Sequence, residues 1–407
     1  MNARQFHYDL PEAAIATHPV APRRMARLLI RERDGGLTHT TFERLPDALA
    51  SHGVDGLWAN DTRVLHARLL TQKSTGGHVE VFLLAPASGP ADQALMHTDG
   101  SVWKAMVRNA KRWTSGPLTA EGRCAVVTVE RHADAADGTA QVRLSWKALQ
   151  GDGTPITLGD VLEDLGRTPL PPYMKRADVP ADRADYQTVF AVAPGSVAAP
   201  TAGLHYDDVL LADLATAGCP LHHLTLHVGA GTFKPLTEGE VMAHEMHAER
   251  AVLSRDALLA MRAQTRRVAT GTTTLRAMES LFWLALHHAE TGEWLPCLPQ
   301  RAPYGVLQEA AQRRGWTGQD ALDEVVNFGP WTASGAWEFE TQLMIVPGYT
   351  FRMVVGLVTN FHQPGSTLLC LVAALVGEGG WRSMYETALH ANYRFLSYGD
   401  GCLLWGT

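Results

Sequence analysis

Hydrophobic residues change their spacing along this chain, and that change limits the folds open to it. From His66 to Lys147 the texture is that of β-structure. "HVEVFLL" alternates, and "CAVVTVERHADAADGTAQVRLSW" reads as two strands around a Gly- and Asp-containing turn. After about Gly159 strands and helices take turns instead. "DDVLLADLATAG" reads as a helix ending at Gly218, "PLHHLTLHV" as a strand, and "RDALLAMRAQTRR" as a helix with cations in its last turn. "VATG" is a short strand running into the helix "TTTLRAMESLFWLALHH", and "YTFRMVVGLVTNF" reads as another strand pair. The alternating part predicts an α/β domain made of residues 1–65 and 156–407. The stretch 66–155 is then inserted into it as a small antiparallel barrel or sandwich. The polar, Gln- and Trp-rich segment 285–335 fits neither pattern.

A chain of 407 residues can bury a sizeable core and is long enough for two domains. Hydrophobic content of 46% with 19% charged residues excludes long disorder. The longest uncharged apolar run, "LLCLVAALV" from Leu368, is too short to span a bilayer, so no membrane association is expected. The start "MNARQFHYDLPEAA" lacks the apolar core of a secretory signal, and the five cysteines form no CxxC pair. Both point to a reducing cytoplasm. A formal charge of −7 excludes a protein that coats nucleic acid through its overall field. It leaves room for a local basic face. Arg23, Arg24, Arg27, Arg31 and Arg33 could make one, as could Lys104, Arg108, Lys111 and Arg112; either set could equally be solvated surface.

Several short stretches carry residues suited to chemistry. In "VAAPTAGLHYDD" (Val197 to Asp208) small and turn-forming residues precede His205, and Thr201 is placed as an N-cap. Such a run lets backbone approach a ligand closely, or it is a tight connection whose histidine caps or packs. "LTLHVGAGTFKP" (224–235) empties a strand carrying His227 into a loop with Gly229, Gly231 and Thr232, open enough for a phosphate or a ribose. Lys234 and Pro235 depart from the dinucleotide-binding pattern. In "VATGTTTLRAME" a strand ends at Gly271, and Thr272 and Thr273 open a helix with free N–H groups, Arg276 standing one turn in. "TNFHQPGSTLL" sets Asn360 and His362 between a strand and a helix, and "YRFLSYGDG" offers Tyr398 and Asp400 in what reads as an exposed turn. The histidines of "HEMHAER" are three apart where the zincin motif needs four, so no metal site is expected. His205, His227 and His362 each stand at the end of an element beside small residues. That arrangement suggests one shared cleft outside the strand ends of an α/β sheet.

Taken in order, these segments resemble the S-adenosylmethionine:tRNA ribosyltransferase-isomerases of queuosine biosynthesis. The resemblance runs through "FHYDLPEAAIATHP", "NDTRVLHARL", "GGHVEVFLL", "LPPYMKRADVPADRADYQTVFAVAPGSVAAPTAGLHY" and "LTLHVGAGTFKP". It continues in "GTTTLRAMES", "PGYTFRMVVGLVTNFHQPGSTLL" and "YRFLSYGD", and so covers most of the chain. It implies an α/β domain with an inserted β-barrel. It also implies S-adenosylmethionine used as a ribosyl donor, and 7-aminomethyl-7-deazaguanine at the wobble position of a tRNA as acceptor. The products are then epoxyqueuosine-tRNA, adenine and methionine. No cofactor is expected beyond S-adenosylmethionine as co-substrate, and the protein is expected to be a monomer. Gly365 stands where the family often carries a charged residue.

The sulfonium of such a donor acidifies neighbouring C–H bonds, so a base that removes the ribose C5′ proton can start the reaction. Histidine suits that task. His205, His227 or His362 is favoured over His244 and His247, with Asp61 and Asp400 as further catalytic candidates. Arg63, Thr201, Gly203, Gly229, Gly231 and Thr232 are taken as substrate contacts, as are Gly271, Thr272, Thr273, Arg276, Asn360 and Tyr398. On this reading "APTAGLH" is bare because a nucleoside lies against it. Asp61 and Arg63 of "NDTRV" could instead form a buried ion pair. Lys104, Arg108, Lys175 and Arg176 are expected on tRNA phosphates, and Tyr186 and Gln187 on bases. A catalytically inactive tRNA-binding paralogue and a metal-dependent hydrolase are the competing functions.

Overall fold

The computed structural model describes residues 1–135, 138–149, 155–229, 236 and 238–406. They form a mixed α/β fold in two compact units. One comprises Met1–Asp61, Thr188–Ala191 and Pro200–Thr407, the other Thr62–Gln187 and Val192–Ala199.

The second unit holds a closed antiparallel barrel of six strands, which lie around the ring as Ala140–Ala148, Ser101–Arg108, His78–Pro86, Arg68–Lys73, Leu118–Glu121 and Ala125–Asp134. The period-two pattern does the work: Val79, Val81, Leu83, Trp103, Ala105, Val127, Val142 and Leu144 point inward and are buried. Closure leaves no free sheet edge. The alternatives of barrel and sandwich are thus resolved as a barrel. This unit runs past the 66–155 stretch because the helix Leu158–Leu165 is tied to the barrel. Its Asp164 carboxylate accepts the N–H groups of Arg123 (3.2 Å), Cys124 (2.8 Å) and Ala125 (3.3 Å).

The first unit is built on a ten-stranded mixed sheet. At its centre Leu221–Leu226, Gly56–Asn60, Arg267–Thr270 and Gly356–Asn360 lie side by side and parallel. Gly401–Trp405 runs antiparallel beside Gly356–Asn360. Gly56–Asn60, Arg267–Thr270, Gly356–Asn360 and Gly401–Trp405 are buried along their whole length, as strands covered on both faces must be. Leu57, Ala59, Val268, Val358 and Leu403 pack against Leu45 and Leu49 of one helix and Leu210 and Leu214 of another. The helix Thr272–Thr291 runs against the strands 221–226, 56–60 and 356–360. The expected strand pair in "YTFRMVVGLVTNF" is a single strand, Gly356–Asn360. Upstream of it, the N–H groups of Arg352 and Met353 donate to the buried Glu279 carboxylate at 2.9–3.1 Å and are lost to any sheet ladder. In 285–335 the chain forms two further helices, Val306–Arg314 and Gly318–Phe328.

Candidate active site

Because four central strands are parallel, their carboxyl ends meet at one edge of the sheet: Leu226, Asn60, Thr270 and Asn360 stand at the rim. The antiparallel strand beginning at Gly401 starts there too, beside Asn360. This is the place where open α/β sheets bind ligands.

Asn60 links two strand ends by donating from Nδ2 to Leu226 O (2.7 Å) and accepting Leu226 N–H at Oδ1 (2.9 Å). Asp61 follows, its Oδ1 accepting the Thr225 hydroxyl at 2.6 Å. Burial raises the Asp61 carboxyl above the ordinary range, against the lowering effects of Thr225 and His223. At the third strand end, Gly271 has φ +91°, a conformation that favours glycine, and donates its N–H to Val358 O at 2.7 Å. The helix it starts has no side-chain cap at Gly271, and Thr272, Thr273 and Thr274 form its first turn at the rim. Asn360 is the hub of the fourth. Its Oδ1 accepts from Thr201 Oγ1 (3.0 Å), and its Nδ2 donates to His205 Nε2 (2.9 Å) and to Leu396 O (3.3 Å).

The three sequence-selected histidines have different surroundings. His205 is buried, stacked on Phe42 with centroids 4.2 Å apart, and lowered to about 3 by burial and then by Arg394 and Arg23. Since its Nε2 accepts from Asn360, its proton sits on Nδ1. His362 is also lowered to about 3 by burial. Its Nε2 shares a hydrogen bond with Thr359 Oγ1 (2.9 Å), and its backbone is held by Tyr385 and Tyr8 hydroxyls. Both imidazoles are therefore neutral near pH 7 and weakly basic. His227 is half-buried and prolongs the sheet through its N–H to Arg250 O at 2.9 Å.

Other expected contacts turn out to be structural. A Cβ on Gly203 would lie 2.7 Å from Phe190 Cζ and 2.8 Å from Thr188 Cγ2. "APTAGLH" is therefore bare at this position to admit a phenyl ring, not a nucleoside. Thr201 opens a 3-10 turn but caps nothing, because its hydroxyl goes to Asn360. Tyr398 and Asp400 are buried, not on an exposed turn, and the Asp400 carboxylate accepts the N–H groups of Arg27 (2.9 Å) and Arg394 (2.8 Å). Arg276 is a buried partner of Glu249 (2.6 Å) and donates to Leu343 O. Arg63 is half-exposed and faces Glu163 at 3.4 Å, so it makes no buried ion pair. Among the described residues, a Cβ on Gly229 would meet nothing within 4 Å. Gly231 and Thr232 lie outside the described residues. At Gly365, φ is +61° and the His7 ring sits where a Cβ would go, 2.8 Å away; that space excludes a side chain.

In the barrel unit, Lys104 and Arg108 are exposed on the outer surface, Arg108 facing Glu80 at 4.0 Å. Lys175 is exposed in a left-handed conformation after the 3-10 turn Pro172–Met174. Arg176 instead forms a two-pronged pair with the buried Asp182 (2.6 and 2.7 Å). Tyr186 is buried, and the Gln187 amide clasps both backbone groups of Val64 (2.9 and 3.0 Å), so neither is presented to a base. Residue reasoning passed over Thr225, His223, Glu249 and Glu279. The alternation in "HHLTLH" is the one signal that could have paired His223 with Thr225.

Residues 3–404 match the family model described as queuosine biosynthesis protein. An S-adenosylmethionine:tRNA ribosyltransferase-isomerase from Anaeromyxobacter sp. (strain Fw109-5) is 38% identical, the alignment covering 99% of each chain. One from Azoarcus sp. (strain BH72) is 39% identical over 99% of this chain and 97% of that one. A crystal structure of an S-adenosylmethionine tRNA ribosyltransferase from Thermotoga maritima aligns over 98% of this chain and 99% of its own, with 23% identity and a TM-score of 0.45. With the family model matched across nearly its whole length, the chain belongs to the queuosine biosynthesis family of S-adenosylmethionine:tRNA ribosyltransferase-isomerases.

Proposed function

We propose that the strand-end rim of the α/β unit is where this S-adenosylmethionine-dependent tRNA ribosyltransferase-isomerase binds its donor and performs the transfer. The ribosyl moiety moves onto 7-aminomethyl-7-deazaguanine at the tRNA wobble position and is isomerised there, giving epoxyqueuosine-tRNA, adenine and methionine. The observation that carries the placement is the convergence of four parallel strand ends on Asp61, Asn360 and the first turn of the helix Thr272–Thr291.

Each part suits the donor. The N–H groups at a helix entrance favour a carboxylate or hydroxyl oxygens. His205 and His362, neutral through burial, set no positive charge against a sulfonium cation. Proton removal then falls to another group at the rim. Exposed Lys104, Arg108 and Lys175 supply phosphate contacts, whereas Arg176 is committed to Asp182. The enzyme works as a monomer in the cytoplasm, without metal or cofactor.

The test is incubation with S-adenosylmethionine and acceptor-bearing tRNA. Free adenine, methionine and the modified nucleoside are expected, with activity surviving a strong chelator. S-adenosylhomocysteine as the main product would overturn the reaction. Tight tRNA binding without adenine release would point to an inactive paralogue, and activity restored specifically by zinc to a hydrolase.

A further inference from the structure

Three side chains meet at the end of strand 56–60 through register rather than through sequence. The parallel strand Leu221–Leu226 sets His223 beside Ala59 and Leu224 beside Asn60, and Asp61 N–H donates to Leu224 O at 3.1 Å. Alternate residues of a strand share a face, so His223 and Thr225 look to the same side. Asp61 is on that side, since its Oδ1 accepts the Thr225 hydroxyl at 2.6 Å. The His223 ring packs on Phe190 with centroids 5.2 Å apart, and its buried Nε2 has no hydrogen-bond partner among the described residues. A buried nitrogen left without a partner is unfavourable, because it has lost its hydrogen bonds to water. Such a group calls for a reason, and a carboxylate close enough to feel its charge provides one.

We propose that Asp61 takes the ribose C5′ proton of the donor, with Thr225 and His223 as the positioning residues that hold and tune it. This rests on the rim being the donor site. One proton passes from C5′ to a carboxylate oxygen, and the C–H electron pair stays on C5′ beside the sulfonium. Adenine later leaves with the electrons of its glycosidic bond and takes the proton back, which restores the carboxylate. The two protonation equilibria belong to a coupled pair. Burial raises Asp61, and Thr225 and His223 lower it; burial lowers His223, Asp61 raises it, and His222 on the same strand lowers it.

The decisive experiment is the pH dependence of kcat with donor and acceptor-bearing tRNA. Asp61→Asn should lower kcat by about 10²–10⁴-fold, the usual share of a positioned proton-transfer group, with little change in donor KM. Thr225→Val removes a hydroxyl that favours the charged carboxylate, so the acid limb should move to higher pH. Thr225→Ser, which keeps the hydroxyl, should bring it back. His223→Phe should move the limb the same way, because the protonated imidazole no longer favours the carboxylate. Circular dichroism melts show that each variant is folded. A folded Asp61→Asn with near-native kcat, or a Thr225→Val profile superimposed on the wild type, overturns the assignment while leaving the reaction intact. A wild type that releases no adenine overturns the reaction itself.

Discussion

At His205 and His362 the fold overrides what the residue type alone predicts. In an unfolded chain both titrate near about 6.5; folded, burial holds each at about 3. Below pH 6.5 the unfolded state therefore binds more protons than the native one. The stability they contribute is complete above that pH and is lost as pH falls toward 3. Each accounts for up to about 1.4 kcal/mol per pH unit in that window. Denaturant midpoints of the wild type should accordingly fall from pH 6 to pH 5, and His362→Gln should show a slope shallower by about 1.4 kcal/mol per unit. Equal slopes would mean that His362 is already protonated in the native state.

At the scale of elements, the helix Thr272–Thr291 organises the rim. It begins at Gly271, and its buried Arg276 and Glu279 fix its neighbours. Arg276 reaches Glu249 on the strand Glu249–Ser254, the neighbour of the strand that ends at Leu226. Glu279 gathers the N–H groups of Arg352 and Met353 and the Tyr349 hydroxyl (2.8 Å). Arg276→Leu would leave the Glu249 carboxylate buried without its partner, a loss of about 3–5 kcal/mol. The denaturant midpoint should drop accordingly while donor KM in the folded fraction stays near the wild-type value. A contact to the donor would give the opposite: raised KM and unchanged stability.

For the whole molecule, a formal charge of −7 means that tRNA affinity rests on a few local cations. Lys104 and Arg108 lie two strand-turns apart in register on the strand Ser101–Arg108 and are both exposed on the barrel exterior. If both touch phosphate, Lys104→Ala with Arg108→Ala should flatten the slope of log affinity against log salt by about 1.4–1.8. Arg176→Ala should leave that slope alone and lower thermal stability, because it strips the buried Asp182 of its guanidinium. An unchanged slope in the double variant would remove the barrel strand from the tRNA-binding surface.

Hydrophobic periodicity was enough to separate a barrel-forming stretch from an α/β frame, because a period of two or of 3.6 is a local property that any packing must respect. The helices Asp208–Thr216, Arg255–Ala263 and Thr272–Thr291 and the strands Leu221–Leu226 and Arg267–Thr270 were legible for that reason. Collinear motifs likewise placed the chain in its family. Side-chain roles were not legible, because burial and partners come from residues far away in sequence. Gly203 is bare for Phe190, Asp400 braces Arg27 from the other end of the chain, and Arg276 is held by Glu249. The strand 221–226 meets Asp61 only because the sheet sets it parallel beside 56–60. Spacing could nominate a histidine; only the tertiary structure desolvated two of them and set Thr225 and His223 beside a carboxylate, because those neighbours come from strands far apart in sequence.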